Sequence, residues 1–191
     1  DEAYGPFAVL PMTFVVTPRR TLLRAVSGSG EAEVGVVTYI AQTYLMQGKA
    51  DKAEGIAEYA ATVEDPRKAR ETKGYAQVKQ GKIDEAAQEF RQIDSKAGLA
   101  AVALEQGDYG TAIETADAAS GEAYAASVKG EALLRSGNPD EAARAFEAAS
   151  AKELDDWQRN NAVRGEGRAL QEQGQADAAI SKYGEALELN P

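Results

Sequence analysis

The stretch Gln47-Gly48-Lys49-Ala50-Asp51-Lys52-Ala53-Glu54 returns in altered form as QGKIDEAA at 80–87, QGDYGTAI at 106–113, SGNPDEAA at 136–143 and QGQADAAI at 173–180. Each copy is a glycine, a polar turn and, five positions on, an alanine: Gly48 and Ala53, Gly81 and Ala86, Gly107 and Ala112, Gly137 and Ala142, Gly174 and Ala179. A unit recurring at this length is the signature of stacked supersecondary repeats. The glycine suits the left-handed residue that ends a first helix. Pro139 and the acids Asp51, Asp84, Asp140 and Asp177 suit the first turn of a second helix. A last stretch, ALELNP at 186–191, ends the fifth copy.

The ladder is uneven. Successive turn glycines lie 33, 26, 30 and 37 residues apart. The short gap falls around Asp94-Ser95 and requires a short second helix in repeat two or a short first helix in repeat three. The long gap adds residues around 152–157, where Asp155 or Asp156 can cap a longer first helix. Trp157, the only Trp, lies there, either as a staple at the junction of repeats four and five or as an exposed contact residue.

Seven residues before the turn glycine stand Ala41, Gly74, Ala100, Gly130 and Gly167. Nine residues after it stand Ala57, Phe90, Ala116, Phe146 and Tyr183, and twelve after it Ala60, Ile93, Ala119, Ala149 and Ala186. Over roughly residues 34–191 this pattern resembles the tetratricopeptide repeat family. The small residues let the two helices of a unit approach, and the large ones fill the space between units. One hairpin cannot bury its apolar face alone, but stacked neighbours can. The expected fold is all-α: a right-handed superhelical array of about five hairpins, preceded by an extended and short-helical N-terminal segment. The resemblance implies a concave groove lined by the first helix of each unit, and a protein or peptide ligand. Its ligand-facing register selects Thr38, Gln42, Leu45, Lys68, Tyr75, Val78, Leu104, Tyr124, Glu131, Leu134, Arg164 and Arg168, together with Ala101 and Asn161. The Lys-Asn-Arg clamp of chaperone-binding members is not present, since Thr38 and Gln42 stand in its place.

Residues 1–30 lie outside the repeat and form a separate unit from 31–191 in this reading. Pro6 and Pro11 exclude a helix interior from the apolar run Phe7–Val16, so an extended segment is expected. Thr17-Pro18 reads as a helix start, with about two turns over Arg19–Val26. Ser27-Gly28-Ser29-Gly30 reads either as a natural loop or as a linker tethering a peptide to its receptor. Residues 1–30 carry a net charge of +1 and the remainder -11, so the segment can dock on the array by charge and burial, through Phe7, Leu10, Phe14, Leu22 and Leu23. Val15-Val16-Thr17-Pro18-Arg19 resembles the strand that closes the membrane-ring domain of secretins. Residues 1–26 would then mimic a partner, and the array would be a pilotin-like assembly factor for a bacterial secretion or pilus machine. The alternative is a general adaptor or co-chaperone with 1–30 acting only as a cap.

The chain has 191 residues, no Cys, no His and a net charge of -10. That removes thiol and imidazole chemistry and the common zinc sites. No basic run points to nucleic acid. No apolar run reaches the roughly 18 residues of a membrane span. The acid pairs Glu64-Asp65, Asp84-Glu85 and Asp155-Asp156 fall at helix ends and read as caps. GEGR at 165–168 lacks the preceding strand of a phosphate loop and falls within an expected helix. No enzyme, cofactor or metal is expected. The chain opens on Asp1 rather than Met, as a processed or trimmed protein does. A membrane link is expected only through a lost lipid anchor, and the periplasm or the inner face of the outer membrane is favoured over the cytoplasm.

Overall fold

A computed structural model describes residues 14–16, 22–24, 35–122 and 124–189. Its helices come in five antiparallel pairs: α1 (Val36–Met46) with α2 (Ala50–Val63), α3 (Pro66–Lys79) with α4 (Ile83–Gln92), α5 (Lys96–Glu105) with α6 (Tyr109–Ala118), α7 (Ala125–Arg135) with α8 (Pro139–Ser150), and α9 (Asp156–Glu172) with α10 (Ala176–Leu189). The pairs stack in chain order into a right-handed superhelical array. Each turn glycine is left-handed, with φ of 72° at Gly48, 76° at Gly81, 81° at Gly107, 84° at Gly137 and 76° at Gly174. The amide after each one donates five residues back, to the carbonyls of Tyr44, Gln77, Ala103, Leu133 and Leu170, at 2.9–3.0 Å. This is the Schellman bond that satisfies a carbonyl orphaned at a helix end.

The missing residues of the 26-residue gap come out of both neighbours, for α4 and α5 are 10 residues each. Between them Asp94 turns left-handed at φ 50°, and Ser95 caps α5 by accepting from the Gly98 amide at 3.1 Å. Two first helices also receive a cap from a distance. Glu64, which follows α2, accepts from the Val37 amide at 2.7 Å and the Thr38 amide at 2.9 Å. Glu122, which follows α6, accepts from the Lys96 amide at 2.9 Å and the Ala97 amide at 3.0 Å. The carboxylate meets the positive end of the helix and satisfies amides that have no intrahelical partner.

The glycines and aromatics of the repeat pattern are partners. Phe90 is fully buried between Gly74 of its own repeat and Gly98 of the next, and Cβ atoms at either glycine would strike its ring. Phe146 sits in the same way between Gly130 and Gly165, and Tyr183 against Gly167. Gly165 and Gly167 of the GEGR stretch therefore lie in helix α9 and serve packing. Where the aromatic is replaced by Ala57 or Ala116, the facing position is Ala41 or Ala100, so volume is exchanged between helices.

The N-terminal segment departs from expectation in one respect. Leu22–Arg24 is a strand, β2, and pairs antiparallel with β1 (Phe14–Val16), with Val15 opposite Leu23. The helix expected over Arg19–Val26 is thereby corrected. Two turns offer few hydrogen bonds against the cost of nucleation, whereas the apolar and β-branched run offers a ladder partner. Phe7 and Leu10 lie outside the described residues. Phe14, Leu22 and Leu23 are described in backbone only.

Candidate interaction site

The first helices α1, α3, α5, α7 and α9 line the inner face of the array. Five repeats bring α9 back onto α1 and close that face into a channel. The residues that close it come from the 37-residue gap. Asp155 caps α9 in a reciprocal capping box with Gln158. Its carboxylate also accepts from Lys68 Nζ at 2.7 Å and from Gln42 Nε2 at 3.1 Å. Trp157, in the first turn of α9, is only 4% exposed. Its ring centroid lies 4.9 Å from that of Tyr75 and 5.0 Å from that of Tyr124. Tyr75 in turn meets Tyr124 edge-on at 5.2 Å and Phe90 at 4.9 Å. The three rings of repeats two, four and five plug the channel near the starts of α7 and α9. Trp157 is thus a staple, but one that reaches across to repeat two.

The plug divides the inner face into two mouths. The mouth at the N-terminal ends of the helices is lined by Arg67, Lys68, Glu71, Glu122, Glu153 and Asp155. Burial pushes the Glu71 carboxyl above its ordinary range; Asp155 and Glu122 add to this, and Lys68 and Arg67 oppose it. The opposite mouth holds two adjoining cavities of about 180 and 260 Å³. They share Tyr75, Lys79, Trp157, Asn161 and Arg164. The first extends over Val78, Leu104, Ser127 and Glu131; the second over Leu45, Met46, Gly48 and Ala50. Desolvation raises the hydroxyl pKa values of Tyr75 and Tyr124, so both phenols stay protonated. The Tyr124 hydroxyl accepts from Asn161 Nδ2 at 3.3 Å.

The sequence-selected residues distribute unevenly over this geometry. Tyr75, Val78, Leu104, Tyr124, Glu131, Arg164 and Arg168, with Ala101 and Asn161, line the first cavity, and Leu45 lines the second. Thr38 and Gln42 are buried and engaged by Glu64, Thr72 and Asp155. Lys68 faces the other mouth, and Leu134 is buried in a cluster with Leu133, Ala142, Phe146 and Ala169. The register that selects Tyr75 and Val78 also selects Lys79, and the one that selects Tyr124 also selects Ser127. Both therefore belong with the set. Met46, two residues before Gly48 as Lys79 is before Gly81, shares that register. Trp157 has no such signal, because closure across repeats brings it in.

Two models of the tetratricopeptide repeat match the sequence, one over residues 127–191 and one over residues 95–118. Residues 95–118 and 127–191 are thus matched as tetratricopeptide repeats, and the five stacked hairpins share that architecture. In fold it is similar to a chain of the APC/C hetero-tetramer Cut9-Hcn1, with a TM-score of 0.57 and 16% identity over 83% of this chain. It spans 34% of the length of that relative. It is also similar to MamA from Desulfovibrio magneticus RS-1, at a TM-score of 0.45 and 17% identity, covering 81% of this chain and 93% of that one. No curated protein sequence matches the chain.

Proposed function

We propose that this chain is a non-catalytic protein-interaction scaffold, and that it holds a partner polypeptide in the two-cavity mouth at the C-terminal ends of α1 and α3 and along α7 and α9. One observation carries the reading. The adjoining cavities form a continuous cleft between first helices, with an aromatic floor of Tyr75 and Trp157 and a cationic rim of Lys79 and Arg164. Clefts between helices with buried aromatic anchors and a few polar groups are where polypeptide ligands gain affinity. The aromatic plug leaves no room for an extended peptide to run the length of the inner face, so a short segment or a helix end fits this mouth best. Panning a random peptide library against the full chain tests the reading. Hits should lose binding to a Lys79→Glu/Arg164→Glu variant; hits indifferent to that pair place the partner elsewhere.

A finer reading makes residues 1–26 a tethered partner segment and the array a pilotin-like assembly factor. The β1–β2 pairing favours it, because a short hairpin of apolar residues needs a further surface for stability. Titration of a peptide of residues 1–26 into a protein of residues 31–191 should release heat at micromolar concentrations. If no binding is measured, the segment is a cap or an appendage, and 1–30 and 31–191 are not ligand and receptor.

A further inference from the structure

Three polar atoms in the cleft have no hydrogen-bond partner among the described residues: the Tyr75 hydroxyl, Ser127 Oγ and Trp157 Nε1. Their residues are 4%, 2% and 4% exposed, and all three line the first cavity. Buried polar groups are paired in the great majority of cases, and each one left alone is destabilising. The three stand on different first helices, α3, α7 and α9, so no local strain in one helix accounts for them together. An indole N–H can only donate, and a hydroxyl donates readily. Donors lining one cavity call for an acceptor with several lone pairs, and a carboxylate offers about four.

Charge points the same way. Arg135 is held by Glu131 at 2.8 Å and by Glu105 at 3.1 Å. Arg168 is held by Glu131 at 2.9 Å. Lys79 and Arg164, on the rim shared by both cavities, have no acidic partner among the described residues. The cleft therefore keeps two uncompensated cations on a protein whose net charge is -10. The adjoining cavity is different in kind, with Leu45 and Met46 in its wall. A donor-lined half thus abuts an apolar half.

The geometry points to an acidic side chain of the bound polypeptide as the occupant. Its Asp or Glu carboxylate sits on Tyr75, Ser127 and Trp157 and is opposed by Lys79 and Arg164, while an adjacent apolar residue fills the Leu45–Met46 half. This rests on the reading that the cleft binds a polypeptide, and it names which polypeptide chemistry. The apolar half sets a peptide residue apart from a free small carboxylate, which would leave that half unfilled.

Trp157 is the only Trp, so its single indole N–H resonance in a heteronuclear NMR spectrum of the full chain reports the site directly. The probes are acetyl-Leu-Glu-Leu amide, its neutral Gln counterpart, and succinate. The Glu peptide should move the indole N–H downfield in a saturable way and bind about tenfold more tightly than the Gln peptide, as a charge-assisted bond replaces a neutral one. Arg164→Gln, at an exposed and unpaired position, should weaken the Glu peptide by about tenfold and leave the Gln peptide unchanged. Equal binding of the two peptides, or binding that leaves the indole resonance unmoved, overturns the proposal. Saturation by succinate as tight as by the Glu peptide overturns the polypeptide occupant in favour of a small carboxylate. Library hits that require Lys79 and Arg164 but carry no acidic residue would sink this inference while leaving the scaffold reading intact.

Discussion

Gly74→Ala and Gly55→Ala are the same chemical change at two mid-helix positions, α3 and α2, and the structure predicts opposite outcomes for them. In both, alanine adds about 1 kcal/mol of helix propensity. At Gly55 a new Cβ meets nothing within 4 Å, so that gain stands alone. At Gly74 it would lie 2.7 Å from Cε1 and Cζ of Phe90, against an optimal carbon separation of about 3.5–4.0 Å. The ring cannot retreat, because Phe90 is fully buried and Gly98 of the next repeat backs its other side. Overpacking of this kind costs about 1–3 kcal/mol. The difference between the two variants should therefore be about 1–3 kcal/mol. For a chain of this size that is roughly 2–12 °C between their thermal midpoints, at about 2–4 °C per kcal/mol. Far-UV circular dichroism melts of the two variants measure it. Adding Phe90→Leu to Gly74→Ala should recover part of the loss as a favourable coupling in a double-mutant cycle. If Gly74→Ala stabilises as much as Gly55→Ala, the glycine is not there for the ring and the packing argument fails.

Three further outcomes are expected. Glu122→Ala removes the carboxylate that caps α5 from the loop after α6 and should cost about 1–2 kcal/mol; hydrogen exchange localises the effect if amides 96–99 lose protection first, and unchanged protection there refutes the cap. Burial raises the Glu71 pKa, so between its unfolded and folded values the folded state binds more protons and stability falls as pH rises through that window. Glu71→Gln should accordingly raise the thermal midpoint at neutral pH and change it little below the ordinary carboxylate value of 4.5; an equal effect at both pH values would disprove burial as the cause. Asp155→Ala removes the Lys68 and Gln42 contacts and the α9 cap together. Small-angle scattering should then show a larger radius of gyration, with Asp155→Ser, which keeps a cap, intermediate; an unchanged radius would show that other contacts close the channel.

Much of the architecture can be read along the chain because its determinants are local. A glycine that must turn left-handed, an alanine five residues on and an acid or proline between them specify a helical hairpin wherever they occur. Even the irregular spacing is legible: the deficit around Asp94 becomes two short helices, and the excess around 152–157 becomes a longer α9 capped by Asp155. The pairing of Gly74 with Phe90, and of Gly130 with Phe146, lies in the same columns of the repeat. The interaction site is less legible. Family register selects Tyr75, Val78, Leu104, Tyr124, Arg164 and Arg168, and the structure places them around one cavity. The same register selects Thr38, Gln42 and Leu134, which are buried in contacts within the array.

By itself, then, the sequence determined the number of hairpins, their turns, and the columns of small and large residues. Each of these depends on residues within one repeat or its immediate neighbour. Tertiary structure alone decided that the inner face closes, that Trp157 reaches Tyr75 across the channel, and that Tyr75, Ser127 and Trp157 leave their donors together beside Lys79 and Arg164. The physical reason is cumulative rotation. Each stacked repeat adds a small turn set by packing, and only the sum over five of them determines whether the last first-helix meets the first. No periodicity records that sum.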